Sequence, residues 1–452
     1  MIQCFLPKCK MVLLKAVFLL AFFAPILFLK IRAGISFKES IMITKMFVLA
    51  AIRQKKYLQA IKVFFLLFFK ISWKEFEPDY ELFPKREYTI PCDNSSIGRW
   101  YSVIPQEEKK TEEKPDLPNM KYFSIGREAI NHILQINSFE RKVALLPNFT
   151  CFTVLSPFLQ GKWELCFYRY NKDMSVDTEY FYEVFQKEKP SLCIFQPLSG
   201  MGFLETEKEL IAYARKNGCM TVVDQTQDTY NIRNDQNVDY YCGSLRKWYP
   251  FPDGSFLYSE KYEIDGCDAL RENFIYRTAM GLCMFAAHLK AAYNNPYFKY
   301  LYKFMWIFST TYISNAEITT HTMSSYSRKI LAEQDEKYNA QRRIENFNYI
   351  YQGIAGLGKV KPVCSSIDRL TGVPLCFHVY ADNRQRFSAY LSTKGIVTQL
   401  LWSKPPYISK LTLDETSEYI YGHIVSLPCD QRFDVDDMKR MVDAIRAYDH
   451  MS

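Results

Sequence analysis

The chain has 452 residues, 48% of them hydrophobic, which is enough to bury the core of two or three domains. Its formal charge of +8 is spread over interspersed basic and acidic residues with no long cationic block, which argues against a nucleic-acid partner. Thirteen cysteines run from Cys4 to Cys429 without a C-x-x-C pair, so they suggest neither a zinc site nor a disulfide framework and fit reduced thiols in a cytoplasmic protein.

Residues 1–75 read as an apolar and basic helical segment. Met11 to Leu29 is apolar apart from Lys15, and Phe64 to Phe69 is a second apolar run. With Lys15 and Pro25 inside it, the first run is borderline for crossing about 30 Å of hydrocarbon, and no small-residue cleavage site follows it. Ile43 to Lys70 mixes apolar residues with Arg53, Lys55, Lys56 and Lys62, a pattern suited to a helix lying in a membrane interface. A helical hairpin packed on the rest of the chain, or on a second subunit, fits the same pattern. Residues 76–118 follow as a strand-like stretch, Glu87 to Ile104, and a charged, proline-bounded linker, Pro105 to Pro118.

From Lys121 onward the rhythm changes. Short apolar runs (Val143 to Leu146, Leu192 to Phe195, Thr221 to Val223) alternate with helical patterns such as Glu205 to Asn217. This alternation predicts an α/β fold with a parallel sheet, whose ligands sit at the carboxyl ends of the strands. Polar residues just after the apolar runs are therefore the candidates.

The run Thr221 to Gln227 ends a predicted strand with Asp224 and, three positions later, Gln227. An aspartate there can keep a pyridinium nitrogen protonated, which makes the ring an electron sink; a helix cap or turn is the plainer use of a strand-end aspartate. Next comes Ser244-Leu245-Arg246-Lys247-Trp248, then Pro252-Asp253-Gly254-Ser255 and the apolar run Phe256 to Tyr258. A lysine so placed can condense with an aldehyde and shuttle a proton, or it can be a solvent-facing turn residue.

Taken together, in this order and at this separation, the two fragments resemble the DegT/DnrJ family of sugar aminotransferases. Leu146-Pro147-Asn148-Phe149-Thr150-Cys151, the return at Cys166 to Tyr168, and the helix start Ser124 to Ile130 are similar as well. So are Pro374 to Phe377, Asp382 to Arg384, Lys394 to Ile396, Leu401-Trp402, and the closing Ser426 to Phe433 with the helix Val435 to Ala447. The likeness covers residues 119 to 450. It implies a fold type I, pyridoxal-phosphate-dependent architecture: a large, mostly parallel α/β domain over 119–335 and a smaller α+β domain over 336–452.

The resemblance further implies that Lys247 bears the cofactor and that Asp224 faces its ring nitrogen. Gln227 would approach the phenolic oxygen, Ser244, Gly126 and Arg127 would bind phosphate, and Phe149, Cys151 or Phe152 would lie near the ring face. Three departures stand out: Ser244 and Lys247 are closer than in many members, Ser255 replaces a second glycine, and Arg127 follows Gly126 where a hydroxyl residue is common. Retention of Lys247 favours amino transfer over dehydration.

The activity implied is transfer of nitrogen from an amino donor to a keto, nucleotide-linked sugar for surface polysaccharides, by a cytoplasmic homodimer; the resemblance does not reach residues 11–70, whose own apolar and basic pattern would suit contact with the inner face of a membrane. A pyridoxal-phosphate enzyme acting on a non-sugar amine or amino acid, and a scaffold that has lost catalysis, are the alternatives. His132, His288, His321, His378 and His423 show no metal spacing and read as structural. Asn148-Phe149-Thr150 matches a glycosylation acceptor by chance in a cytoplasmic protein.

Overall fold

The computed structural model describes residues 119–451 apart from 232–234, 274–275, 278–279, 282, 285–316 and 400. The membrane-interface, strand and linker readings of residues 1–118 lie outside the described residues.

Seven strands build the central sheet: β1 (Met120–Phe123), β2 (Val143–Pro147), β3 (Glu164–Tyr168), β4 (Leu192–Phe195), β5 (Met220–Asp224), β6 (Tyr240–Ser244) and β7 (Ser255–Tyr258). Their spatial order is β1-β7-β6-β5-β4-β2-β3. The five strands from β3 across to β6 run parallel, while β7 is antiparallel to both β6 and β1. Parallel strands covered on both faces need continuous apolar runs, and β2 (VALLP) and β4 (LCIF) are buried at every position.

The crossovers are helical: α1 (Gly126–Ile136), α2 (Phe152–Gln160), α3 (Thr178–Glu188) and α4 (Glu205–Lys216). Helix α3 starts where the Asp177 carboxylate accepts from the Tyr180 N–H and stops at Lys189, whose left-handed φ of 50° turns the chain out of the helix. The strand order reverses between β2 and β4, because the chain runs outward from β2 to β3 and then returns to place β4 on the other side. A crevice forms where two crossovers diverge in this way.

After α5 (Ser325–Ala332) and the long α6 (Glu336–Gly353), a second, antiparallel sheet of order β10-β9-β8 is made by β8 (Val360–Pro362), β9 (Phe377–Ala381) and β10 (Ile424–Leu427). The helices α7 (Arg384–Thr393), α8 (Glu415–His423) and α9 (Val435–Asp449) complete this part. Arg343 of α6, fully buried, joins the two parts. Its Nε donates to Gln431 Oε1 at 2.8 Å, its Nη1 donates to the carbonyls of Pro374 (3.1 Å) and Leu375 (3.0 Å), and its guanidinium lies 4.5 Å from the Trp248 ring centroid. Among the described residues no helix is long and apolar enough to cross a membrane.

Candidate active site

The carboxyl ends of β2, β4, β5 and β6 and the start of α1 surround a cleft of about 720 Å³ that is partly open to solvent. Asp224, the last residue of β5 and 5% exposed, forms part of its wall. Both carboxylate oxygens are held: Oδ1 accepts from the Thr226 N–H at 2.9 Å and Oδ2 from Gln196 Nε2 at 2.7 Å. Gln196 follows β4 and is itself oriented by Thr150, whose hydroxyl donates to its Oε1 at 2.7 Å. The loops after β2, β4 and β5 thus fix one carboxylate at the reversal of strand order.

Lys247 reaches the same cleft from the single 3₁₀ turn, Leu245–Lys247, that follows β6. The Gly254 carbonyl shapes this turn by accepting from the N–H groups of Leu245 (3.0 Å) and Arg246 (3.3 Å). Gly254 sits at φ +149°, where a Cβ would lie 2.8 Å from both Met323 Cε and Phe251 Cε2, so the position requires glycine. The neighbouring Asp253 accepts from the Ser324 N–H at 2.9 Å and from its hydroxyl at 2.6 Å, tying the turn to the start of α5. On the far side of the lysine, Trp248 is fully buried and its indole N–H donates to the Thr226 carbonyl at 2.9 Å. Residues immediately around Lys247 are therefore rigid, and Lys247 and Asp224 line one cavity.

Cationic groups gather where α1 begins. The helix has no side-chain cap at Ile125, its Glu128 N–H donates to the Ile125 carbonyl at 2.9 Å, and a helix start of this kind suits an anion. Gly126 lies against Ser244, since a Cβ on the glycine would stand 3.6 Å from Ser244 Cβ. Arg127, Ser244, Arg246 and Tyr276 line the cleft beside it. Burial pushes the Tyr276 phenol up to about 12 even with the Arg246 and Arg127 guanidiniums close by. One turn into α1, the buried Glu128 accepts from the His321 backbone N–H at 2.9 Å and meets its Nδ1 at 3.1 Å.

Seven of the residues picked from sequence line the cleft together: Lys247, Asp224, Gln227, Ser244, Gly126, Arg127 and Cys151. Phe149 does not. Its ring is fully buried between Trp402 (centroids 5.0 Å) and Tyr421 (4.8 Å), because Asn148 anchors the loop to α8 by donating to the Ser417 hydroxyl at 2.7 Å and accepting from the Tyr421 hydroxyl at 2.8 Å. Two residues on, Cys151 stands at the residue before the first turn of α2 and lines the cavity. Gln196, Thr226, Arg246, Tyr276 and Trp402 also line it and were not singled out. Gln196 follows an apolar run as Asp224 does, and Arg246 lies between Ser244 and Lys247, so the strand-end rule reaches both; Tyr276 and Trp402 arrive by tertiary folding. Among the described residues no group of three or more His, Cys, Asp or Glu side chains could hold a metal ion.

No protein-family model matches this sequence, and neither does any curated protein. Solved structures do resemble it. A DegT DnrJ EryC1 StrS aminotransferase from Brucella abortus aligns at 15% identity over 74% of this chain and 86% of its own, with a TM-score of 0.53. PseC of Helicobacter pylori, an aminotransferase involved in the biosynthesis of pseudoaminic acid, aligns at 10% identity over 78% and 98%, with a TM-score of 0.54. A Bacillus subtilis structure with the bound cofactor PMP aligns at 11% identity over 74% and 73%, also with a TM-score of 0.54. At this identity the likeness establishes the fold: the chain has the architecture of the fold type I aminotransferases, a large and mostly parallel sheet followed by a smaller C-terminal part.

Proposed function

We propose that this protein is a pyridoxal-phosphate-dependent aminotransferase, with 119–335 as its cofactor-binding domain and 336–452 as its small domain. The observation that carries the reading is the meeting of Lys247 and Asp224 in one cleft, beside an uncapped helix start flanked by two arginines. The residues present fit the cofactor. The first N–H groups of α1, Ser244, Arg127 and Arg246 suit a phosphate; Asp224 suits a protonated ring nitrogen; and the amide Nε2 of Gln227, buried and without a hydrogen-bond partner, suits an anionic ring oxygen. Cys151 and Trp402 line the space left for the ring face. When bound, pyridoxal phosphate supplies an aromatic electron sink.

Each residue then has a defined task. Lys247 Nζ would hold the cofactor covalently, and the same nitrogen, once free, could move a proton to or from the carbon that loses or gains the amino group. Asp224 keeps the ring nitrogen protonated, and Gln196 keeps Asp224 pointed at it. Arg127 and Arg246 balance the phosphate charge. Adding pyridoxal phosphate to the purified chain is expected to give a visible absorbance band that an amino donor bleaches and that Lys247→Ala lacks. A wild-type chain that acquires no such band would overturn this reading and favour a scaffold without catalysis.

The finer reading is that an amino acid, commonly glutamate, supplies the nitrogen and a keto, nucleotide-linked sugar destined for surface polysaccharide accepts it. A similarly folded protein described as a sugar aminotransferase, from Micromonospora echinospora, supports this choice over a non-sugar amine. Mass analysis of products from a panel of keto sugars and keto acids decides between them. We further expect a homodimer, cytoplasmic and held at the inner face of a membrane through residues 11–70; deleting residues 1–118 is expected to release it from the membrane fraction.

A further inference from the structure

His378 sits at the second position of β9 and has no place in the chemistry described so far. Its ring is buried, and each nitrogen faces one side chain. Nε2 lies 3.3 Å from Gln227 Oε1, across 151 residues of sequence, and Nδ1 lies 3.0 Å from the Ser426 hydroxyl. Ser426 is the residue directly opposite His378 in the antiparallel register of β9 and β10, so this second contact is built into the small-domain sheet.

With the Gln227 amide turned so that its oxygen faces His378, the positions of the hydrogens follow. An amide oxygen only accepts, so the Nε2 facing Gln227 Oε1 must carry a hydrogen. A neutral imidazole has one N–H, which leaves Nδ1 as an acceptor, and Ser426 Oγ supplies the hydrogen it accepts. The ring is neutral because burial pushes its pKa down to about 3. The direction of donation therefore runs from Ser426 through His378 to Gln227. With Oε1 engaged, the Gln227 amide presents its Nε2 instead, and that buried nitrogen has no hydrogen-bond partner.

An amide is nearly symmetrical in shape, and a free Gln227 would offer the cleft either its oxygen or its nitrogen. Only the nitrogen attracts an anionic oxygen. We infer that His378 is a positioning residue: from the small-domain sheet, with Ser426 behind it, it sets the orientation of the Gln227 amide so that the cleft receives a hydrogen-bond donor for the cofactor's ring oxygen. The inference rests on the proposed cofactor, but its first step, the tautomer, does not. It also makes the small domain part of the binding site without a residue of that sheet touching the ligand.

Two measurements test it on the full chain. In protein labelled with ¹⁵N-histidine and free of added cofactor, the His378 ring, assigned by loss of its signals in His378→Gln, is expected to be neutral with the hydrogen on Nε2. A hydrogen on Nδ1, or an imidazolium at neutral pH, overturns the relay whether or not pyridoxal phosphate binds. With pyridoxal phosphate added, Gln227→Ala and His378→Leu are both expected to shift the lysine-bound absorbance band in the same direction and to weaken cofactor retention about tenfold, as loss of one hydrogen bond to a charged group does. His378→Gln, whose amide N–H can also donate, is expected to bring the band back towards wild type. A His378→Leu band at the wild-type position, with Gln227→Ala shifted, overturns the proposal. If His378→Leu does not fold, His378→Phe, which keeps a planar ring but donates no hydrogen, replaces it, and the same shifted band is the expected result; an unshifted band overturns the proposal. Absence of a band in the wild type defeats the cofactor reading and leaves the tautomer result standing.

Discussion

Replacing Asp224 by Ala removes a carboxylate that Gln196 and the Thr226 N–H hold from two directions. Turnover is expected to fall by about a hundredfold or more, the usual cost of deleting a preorganised charge at a reacting centre, while the Lys247-dependent absorbance band persists. A variant that retains wild-type turnover in steady-state assay would remove Asp224 from the mechanism. Gln196→Ala, which leaves the carboxylate but frees one oxygen, is expected to fall by about tenfold in the same assay. At this scale Asp224 and Lys247 could be picked because each lies at or just after the end of its own strand, though it was the resemblance, and not either residue alone, that singled them out. The sequence was silent wherever an anchor elsewhere decides the direction, as when α8 draws Asn148 and Phe149 away from the cleft and leaves Cys151 lining it. His378 reads as an ordinary strand residue because its partner is 151 positions away.

The turn that carries Lys247 depends on Gly254, whose φ of +149° and close neighbours exclude a side chain. Gly254→Ala is expected to lose about 1–3 kcal/mol from backbone strain alone, read as a lower urea midpoint. Its effect on cofactor capture should be larger than that of an equally destabilising change in α9, because the Gly254 carbonyl holds the N–H groups of Leu245 and Arg246. Arg343→Met keeps the length of the stem and deletes the guanidinium, stranding two backbone carbonyls and Gln431; a loss of about 3 kcal/mol or more is expected by the same measurement. Strands β2, β4 and β5 of the large sheet were legible because buried parallel strands are apolar: Leu192 to Phe195 is read and observed with the same ends. The small sheet was legible only as a resemblance. β8 is three residues long, and nothing in Val360–Pro362 announces its pairing with β9.

For the molecule as a whole, the buried Glu128 and the half-buried His321 tie the start of α1 to the segment that precedes α5. Hydrogen bonding to Glu128 holds the His321 ring above the usual 6.5. The folded protein therefore binds more protons than the unfolded chain from about pH 6.5 up to that raised value, so this contribution is complete below the window and is lost as pH rises through it. Urea midpoints are expected to decline as pH rises from about 6.5 through that raised value, and His321→Gln to flatten the decline; a slope unchanged by the substitution would show that the pair does not titrate there. The alternation of elements disclosed the architecture of this part of the chain, whereas the joint between its two parts depends on side chains such as Arg343 that no periodicity marks. That joint has a consequence for recombination. A hybrid gene that grafts a foreign carboxyl-terminal half onto residues 119–335 would inherit an indole lacking its guanidinium lid and a glutamine amide lacking its imidazole, so exchange of halves between similarly folded proteins should succeed only when these two side chains travel with the graft.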